Sequence, residues 1–263
     1  MATKQNTLWE RFLQPLFGLA IDREKLQELS NSIDWEKESD RLSSPDFVYP
    51  EYYLSQNFHG IEGGYLNSGA AVTYDPVTQY VLAPNESWNR EAVVKAVKGS
   101  PRQILDLGCG TGSTTMMLKQ AFPDAKVVGL DLSPQMLVMA EHKALQAGLD
   151  IQWVHGLAEA TNFEDGEFDI VTASLLFHET PPYIAQKILV EAYRLLSPGG
   201  QVIILDGNQK TLRQTSWLTE VFEEPYINEY AAGSVDAWLG AAGFEKVRTE
   251  DVWWTNQLST GVK

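Results

Sequence analysis

Three glycines at alternate positions, Gly108, Gly110 and Gly112, stand in ILDLGCGTGS, residues Ile104 to Ser113, between an apolar run and a helical one. Glycine at this spacing lets the backbone bend sharply and lets a ligand approach main-chain N–H groups at a helix start. Asp131 ends the next apolar run, at the distance expected of an acid that accepts hydrogen bonds from ribose hydroxyls. Two details argue against a dinucleotide. The third glycine of a G-x-G-x-x-G turn would fall on Ser113, and an acid, Asp106, stands two residues before the first glycine. A carboxylate there suits a cationic, phosphate-free ligand better than a pyrophosphate.

Other residues invite chemistry and have plainer readings. His178 follows the fourth apolar run and His59 lies in a glycine- and tyrosine-rich stretch; either imidazole could take a proton from an acceptor hydroxyl. His142 and His155 read as structural. "ETPPY", Glu179 to Tyr183, fits a proline-started helix. Asp206 and Asn208 could be part of a divalent metal site, but the acid such a site also needs would fall at Ser174, so no metal is expected. Tyr49, Tyr52, Tyr53, Phe58 and Tyr65, with Trp217, Phe222, Tyr226, Tyr230, Trp253 and Trp254, suffice for an aromatic wall around an apolar acceptor. Tyr65, Trp217, Tyr226 and Tyr230 are its leading members.

The elements that must position these residues alternate in type from Gln103 onward. Strands are expected at Gln103–Leu107, Lys126–Asp131, Ile151–His155, Phe168–Ala173 and Gln201–Asp206. Helices are expected at Ser113–Phe122, Pro134–Ala147 and Pro182–Leu195. Ser133, Pro134 and Gly148 punctuate the second helix, and "SPGG", Ser197 to Gly200, should end the third. A helix at Val235–Ala242 and strands near Lys246–Trp254 and Leu258–Val262 follow. This is an α/β, Rossmann-like pattern. Residues 1–100 read as a helical extension covering the acceptor site, with amphipathic segments at Leu8–Leu19 and Arg23–Ser39. Residues 101–263 form the core, with 207–234 as a lid or wall.

Composition excludes some partners. The chain has 263 residues, is 44% hydrophobic and carries a net charge of −15, with its 20 Lys and Arg scattered. It would be repelled by nucleic acid and anionic membranes. Cys109 is the only cysteine, so no internal disulfide is available. The N-terminal residues make a poor secretory signal and no apolar run is long enough to span a bilayer, so a cytoplasmic location is expected.

DLGCGTG at Asp106–Gly112, GLDLSPQML from Gly129, FDIV from Phe168 and LSPGG from Leu196 resemble the class I S-adenosylmethionine-dependent methyltransferases. The likeness is to the small-molecule branch that includes quinone methyltransferases. It implies a seven-stranded sheet with its last strand antiparallel. It also implies a donor site formed by Asp106, Gly108, Cys109, Gly110, Gly112, Asp131, Leu132, Met136 and Ser174. Leu157 stands where the family commonly has an acid for the adenine amino group, which leaves that contact to backbone near Leu157 and Ala158 or to Glu159. The expected reaction is S-adenosylmethionine-dependent O- or C-methylation of a small aromatic or isoprenoid-like molecule, giving S-adenosylhomocysteine. The alternatives are methylation of an amine, a protein or a nucleic acid, or a non-catalytic S-adenosylmethionine-binding module.

Overall fold

The computed structural model describes residues 22–263 except 60, 62, 82–84 and 216–223. Its centre is a seven-stranded sheet in the order β3-β2-β1-β4-β5-β7-β6. The strands are β1 Gln103–Leu107, β2 Lys126–Asp131, β3 Gln152–His155, β4 Phe168–Ser174, β5 Leu196–Gly207, β6 Glu245–Val252 and β7 Asn256–Val262. Only β7 runs antiparallel to its neighbours, as expected of the closing hairpin. β1 buries apolar side chains on both faces because both are covered. Ile104 packs with Leu118, Val127 and Ile203 on one side. Leu105 and Leu107 pack with Ile184, Ile188 and Leu195 on the other.

The crossover helices α6 Ser113–Ala121, α7 Pro134–Gln146 and α8 Pro182–Leu195 lie close to their expected bounds. α7 begins as its punctuation requires: Ser133 Oγ accepts the Met136 N–H and Pro134 takes the first helical position. β5 starts earlier than expected. Leu196 pairs with Phe168 and Gln201 with Ile170, so SPGG is an irregularity inside the strand, with Gly199 at φ +82°.

The extension holds α1 Arg23–Ser32, α2 Trp35–Leu42, α3 Glu51–Leu54, α4 Ser68–Val81 and α5 Glu86–Ala96. The single helix expected at Arg23–Ser39 is two helices, because Asp34 Oδ1 accepts the Lys37 N–H and caps a second start. Ala70, Ala71 and Val72 of α4 pack on Met136 and Met139 of α7. Val93 of α5 is fully buried against the sheet cluster of Ile104 and Leu118. The segment Leu8–Leu19 lies outside the described residues. After β5 come α9 Gln209–Gln214, α10 Ile227–Ala232 and α11 Val235–Ala241. Among the described residues no helix is long and apolar enough to cross a membrane.

Candidate functional site

A cavity opens where the C-terminal ends of β1, β2 and β4 meet the extension. Gly108, Cys109, Gly110 and Thr111 supply its floor, and Asp131, Leu132, Met136, Ala158 and Ser174 line it further. Gly108 and Gly110 have φ of +63° and +53°, conformations that an L side chain resists. A Cβ on Gly108 would come within 2.7 Å of Leu176, whereas beside Gly110 the space is open. Asp131 closes the turn: Oδ2 accepts the Gly110 N–H at 2.7 Å and Oδ1 the Ser133 N–H at 2.9 Å. Burial raises its pKa to about 6, against the opposing pull of those two N–H groups.

Several expected donor residues fall elsewhere. Asp106 does not line the cavity; it is 1% exposed and accepts hydroxyls from Thr115 and Thr172 at 2.6 and 2.7 Å. Its carboxylate holds β1, β4 and α6 together behind the turn. Gly112 also lies behind, where a Cβ would meet the Trp153 ring at 2.6 Å and Ala140 at 3.0 Å. Leu157 is not in the wall, while its neighbours Gly156, Ala158 and Glu159 are. Residues the sequence reading missed also reach the cavity: Arg90 and Tyr74 from the extension, and Glu179 after β4. Arg90 is anchored by Glu86 Oε1 and Thr114 Oγ1, both at 2.8 Å. α4 is tied to the glycine turn by Asp75, which accepts the Thr111 hydroxyl and pairs with Lys143.

One side of the cavity is an aromatic wall of Tyr52, Tyr53, Phe58, Tyr65 and Tyr74. Of the four leading members expected of such a wall, Tyr65 lines the cavity. Tyr226 and Tyr230 are not in the wall: their hydroxyls donate to the carbonyls of Tyr52 and Gly207, and Tyr230 is fully buried. Trp217 and Phe222 lie outside the described residues.

Neither expected base lines the cavity, and His178 is unsuited to the part. Its Nδ1 is 2.5 Å from Asp206 Oδ1, and its Nε2 is 3.3 Å from Glu224 Oε2. Burial favours the neutral ring, but Glu224 and Asp206 together outweigh it and raise the pKa to about 10. At neutral pH His178 already holds its proton and has no lone pair to offer. His59, at φ +51°, stands with Nε2 3.4 Å from Glu179 and Nδ1 3.8 Å from Glu224. Burial again opposes its charge, and the Glu179 and Glu224 carboxylates overcome that and raise its pKa. Tyr65 donates its hydroxyl to Glu179 Oε1 at 2.6 Å. Three segments distant in sequence, around His59, His178–Glu179 and Glu224, are thereby joined by one ionic network. His155 is structural, with Ser44 N–H on its Nδ1 and Leu132 O at its Nε2. Asp206 also accepts the Phe177 and Gly207 N–H groups, and Asn208 caps α9.

Comparison with known proteins agrees with this architecture. A family model described as a methyltransferase domain matches residues 104–200. A demethylmenaquinone methyltransferase of Thermus thermophilus is 43% identical over 119 residues, 45% of this chain and 53% of that protein. Another, of Oceanobacillus iheyensis, is 32% identical over 174 residues, 63% of this chain and 72% of that protein. The chain thus spans about half the length of the first of these relatives. A solved S-adenosylmethionine-dependent methyltransferase of Aquifex aeolicus shares the fold with a TM-score of 0.58 at 21% identity, covering 74% of this chain and 98% of its own. The chain belongs to the class I S-adenosylmethionine-dependent methyltransferases.

Proposed function

We propose that this chain moves the methyl group of S-adenosylmethionine to a small aromatic acceptor of the quinol type. The observation that carries this reading is the single cavity in which the glycine turn and Asp131 face a wall of five aromatic rings. The donor suits the residues present. The open backbone at Gly110 admits a bulky group, and the buried Asp131 carboxylate can accept ribose hydroxyls.

In this reading Gly108, Cys109 and Gly110 hold the methionine part by their backbone. Arg90 meets its carboxylate with the fork of a guanidinium already oriented by Glu86 and Thr114. Leu132, Met136 and Ala158 enclose the adenine. When bound, the donor supplies an electrophilic methyl group that needs no further activation. The protein's work is alignment of an acceptor atom about 3 Å away and exclusion of water, which together can lower a barrier by about 7–11 kcal/mol. The names of the relatives favour a naphthoquinol-type acceptor over an amine, and the net charge of −15 disfavours a nucleic acid. We place the chain in the cytoplasm, acting on an acceptor presented to it there.

Incubation with methyl-labelled S-adenosylmethionine and a panel of reduced naphthoquinols, simple phenols and amines tests the assignment. Label is expected in the naphthoquinols. No labelled product from any acceptor, or product from amines alone, would contradict it.

A further inference from the structure

We propose that Glu179 is the catalytic base of the transfer, taking the acceptor's hydroxyl proton on Oε2 while Tyr65 and His59 hold Oε1. The inference builds on the transfer reading above and names the group that meets the acceptor.

Among the described residues three carboxylates line the cavity: Asp131, Glu159 and Glu179. Asp131 has both oxygens on backbone N–H groups of the donor turn. Glu159 follows Gly156 and Ala158 at the β3 end of the wall and accepts the Tyr52 hydroxyl at 2.9 Å. Glu179 is placed differently. It follows the end of β4, where Leu175 at φ +60° turns the chain so that Leu176 covers Gly108. All its contacts are made by Oε1: Tyr65 Oη at 2.6 Å, His59 Nε2 at 3.4 Å and His178 Nε2 at 3.9 Å. Among the described residues Oε2 has no partner, and it belongs to a side chain in the cavity wall.

The surrounding groups favour this division of labour. Two imidazole rings, His59 and His178, stand at Oε1 and leave the other oxygen of Glu179 to the cavity. Burial holds the Tyr65 phenol well above its ordinary pKa, so it donates to Glu179 and does not compete for the proton. The buried Glu224 Oε2 accepts no hydrogen bond, which leaves Glu224 as a counter-charge to the two rings.

The step balances as follows. The acceptor O–H bond breaks and its proton goes to Glu179. The electron pair left on the acceptor forms the new bond to the methyl carbon, whose bond to sulfur breaks with its pair passing to sulfur. The proton then leaves Glu179 for solvent. For methylation at ring carbon the pair is delivered through the ring, and the ring proton is lost afterwards to solvent.

The test compares wild type with Glu179→Gln, Glu179→Asp and Tyr65→Phe, reading S-adenosylhomocysteine affinity, thermal midpoint and the pH profile of transfer to a naphthoquinol. Glu179→Gln should lower kcat by about 10²–10⁴-fold, the range for loss of a positioned base. It should leave donor-product affinity within about threefold of wild type, since the donor contacts lie elsewhere. Glu179→Asp should restore part of the rate. Tyr65→Phe should lower kcat while leaving KM and S-adenosylhomocysteine affinity near wild type, because Glu179 loses the donor that orients its carboxylate; lost packing alone would not divide the two in this way. A Glu179→Gln enzyme with wild-type kcat and acid limb overturns the assignment of the base and leaves the transfer reading intact. Loss of S-adenosylhomocysteine binding in Glu179→Gln also overturns it, by making the role structural. Binding of S-adenosylhomocysteine by wild type with no transfer to any acceptor overturns the transfer reading and the base with it.

Discussion

The two sides of the cavity are built by different means. The donor side is mostly main chain: a left-handed glycine turn, two N–H groups fixed by Asp131, and a helix start capped by Ser133. Its residues lie within about one strand–helix–strand unit, so local sequence determines it. The acceptor side is mostly side chain. Rings from residues 52–74 and the Glu179 carboxylate after β4 meet there, from segments more than a hundred residues apart, with His59, His178 and Glu224 behind them. A backbone-built site tolerates few residue types but can be recognised by its motif. A side-chain-built site can change its ligand by changing one residue, and it leaves no short signature.

The largest expected effect is on the ionic network. His178→Leu leaves Asp206 and Glu224 buried without their cation, and should cost about 3–5 kcal/mol of stability in urea unfolding. A loss under about 1 kcal/mol would mean that the network does not join the acceptor side to the core. The same group gives a pH dependence. His178 has a folded pKa of about 10 against an ordinary 6.5. Its contribution should therefore be complete below about pH 6.5 and be lost as pH rises toward 10. His178→Gln should flatten that slope.

On the donor side, Gly112→Val combines a φ of +77° with a Cβ placed 2.6 Å from Trp153, and should destabilise by about 2–4 kcal/mol in the same assay. Asp131→Ala should weaken S-adenosylmethionine binding by about 1–3 kcal/mol. Ribose hydroxyls need the ionised carboxylate, whose pKa is raised to about 6. Wild-type affinity should then fall as pH drops below about 6, and Asp131→Asn should remove that fall. Unchanged affinity in Asp131→Ala would take Asp131 out of the ribose role. Tyr52→Phe, which deletes one hydrogen bond from the extension to Glu159, should cost about 1 kcal/mol.

What the sequence made legible follows the same division. β1, β2 and α8 keep the bounds read from apolar runs and from Pro182, and Ser133, Pro134 and Gly148 mark α7 correctly. Much of the extension was not legible. α4 contains Gly69 and Pro76 and its buried face is short, and α5 exposes Trp88 while burying Arg90 and Asn89, so neither shows a clear apolar stripe. Their caps were the available signal: Asn67 Oδ1 accepts the Ala70 N–H, and Asn85 Oδ1 accepts the Ser87 N–H. Asp106 was chosen for a residue type that suits a cationic ligand, and the structure places it behind the turn. Its orientation toward Thr115 and Thr172 is a tertiary property that no spacing states. Glu179 and Glu224 were hidden for the same reason: a lone glutamate carries no periodicity, and their partners are brought up only by the fold.

The account stands most directly on what the glycine turn holds, which calorimetric titration of the wild-type chain with S-adenosylmethionine, S-adenosylhomocysteine and NAD measures. One S-adenosylmethionine or S-adenosylhomocysteine should bind per chain, with no heat of binding from NAD. Binding of NAD alone, or of none of the three, would contradict it.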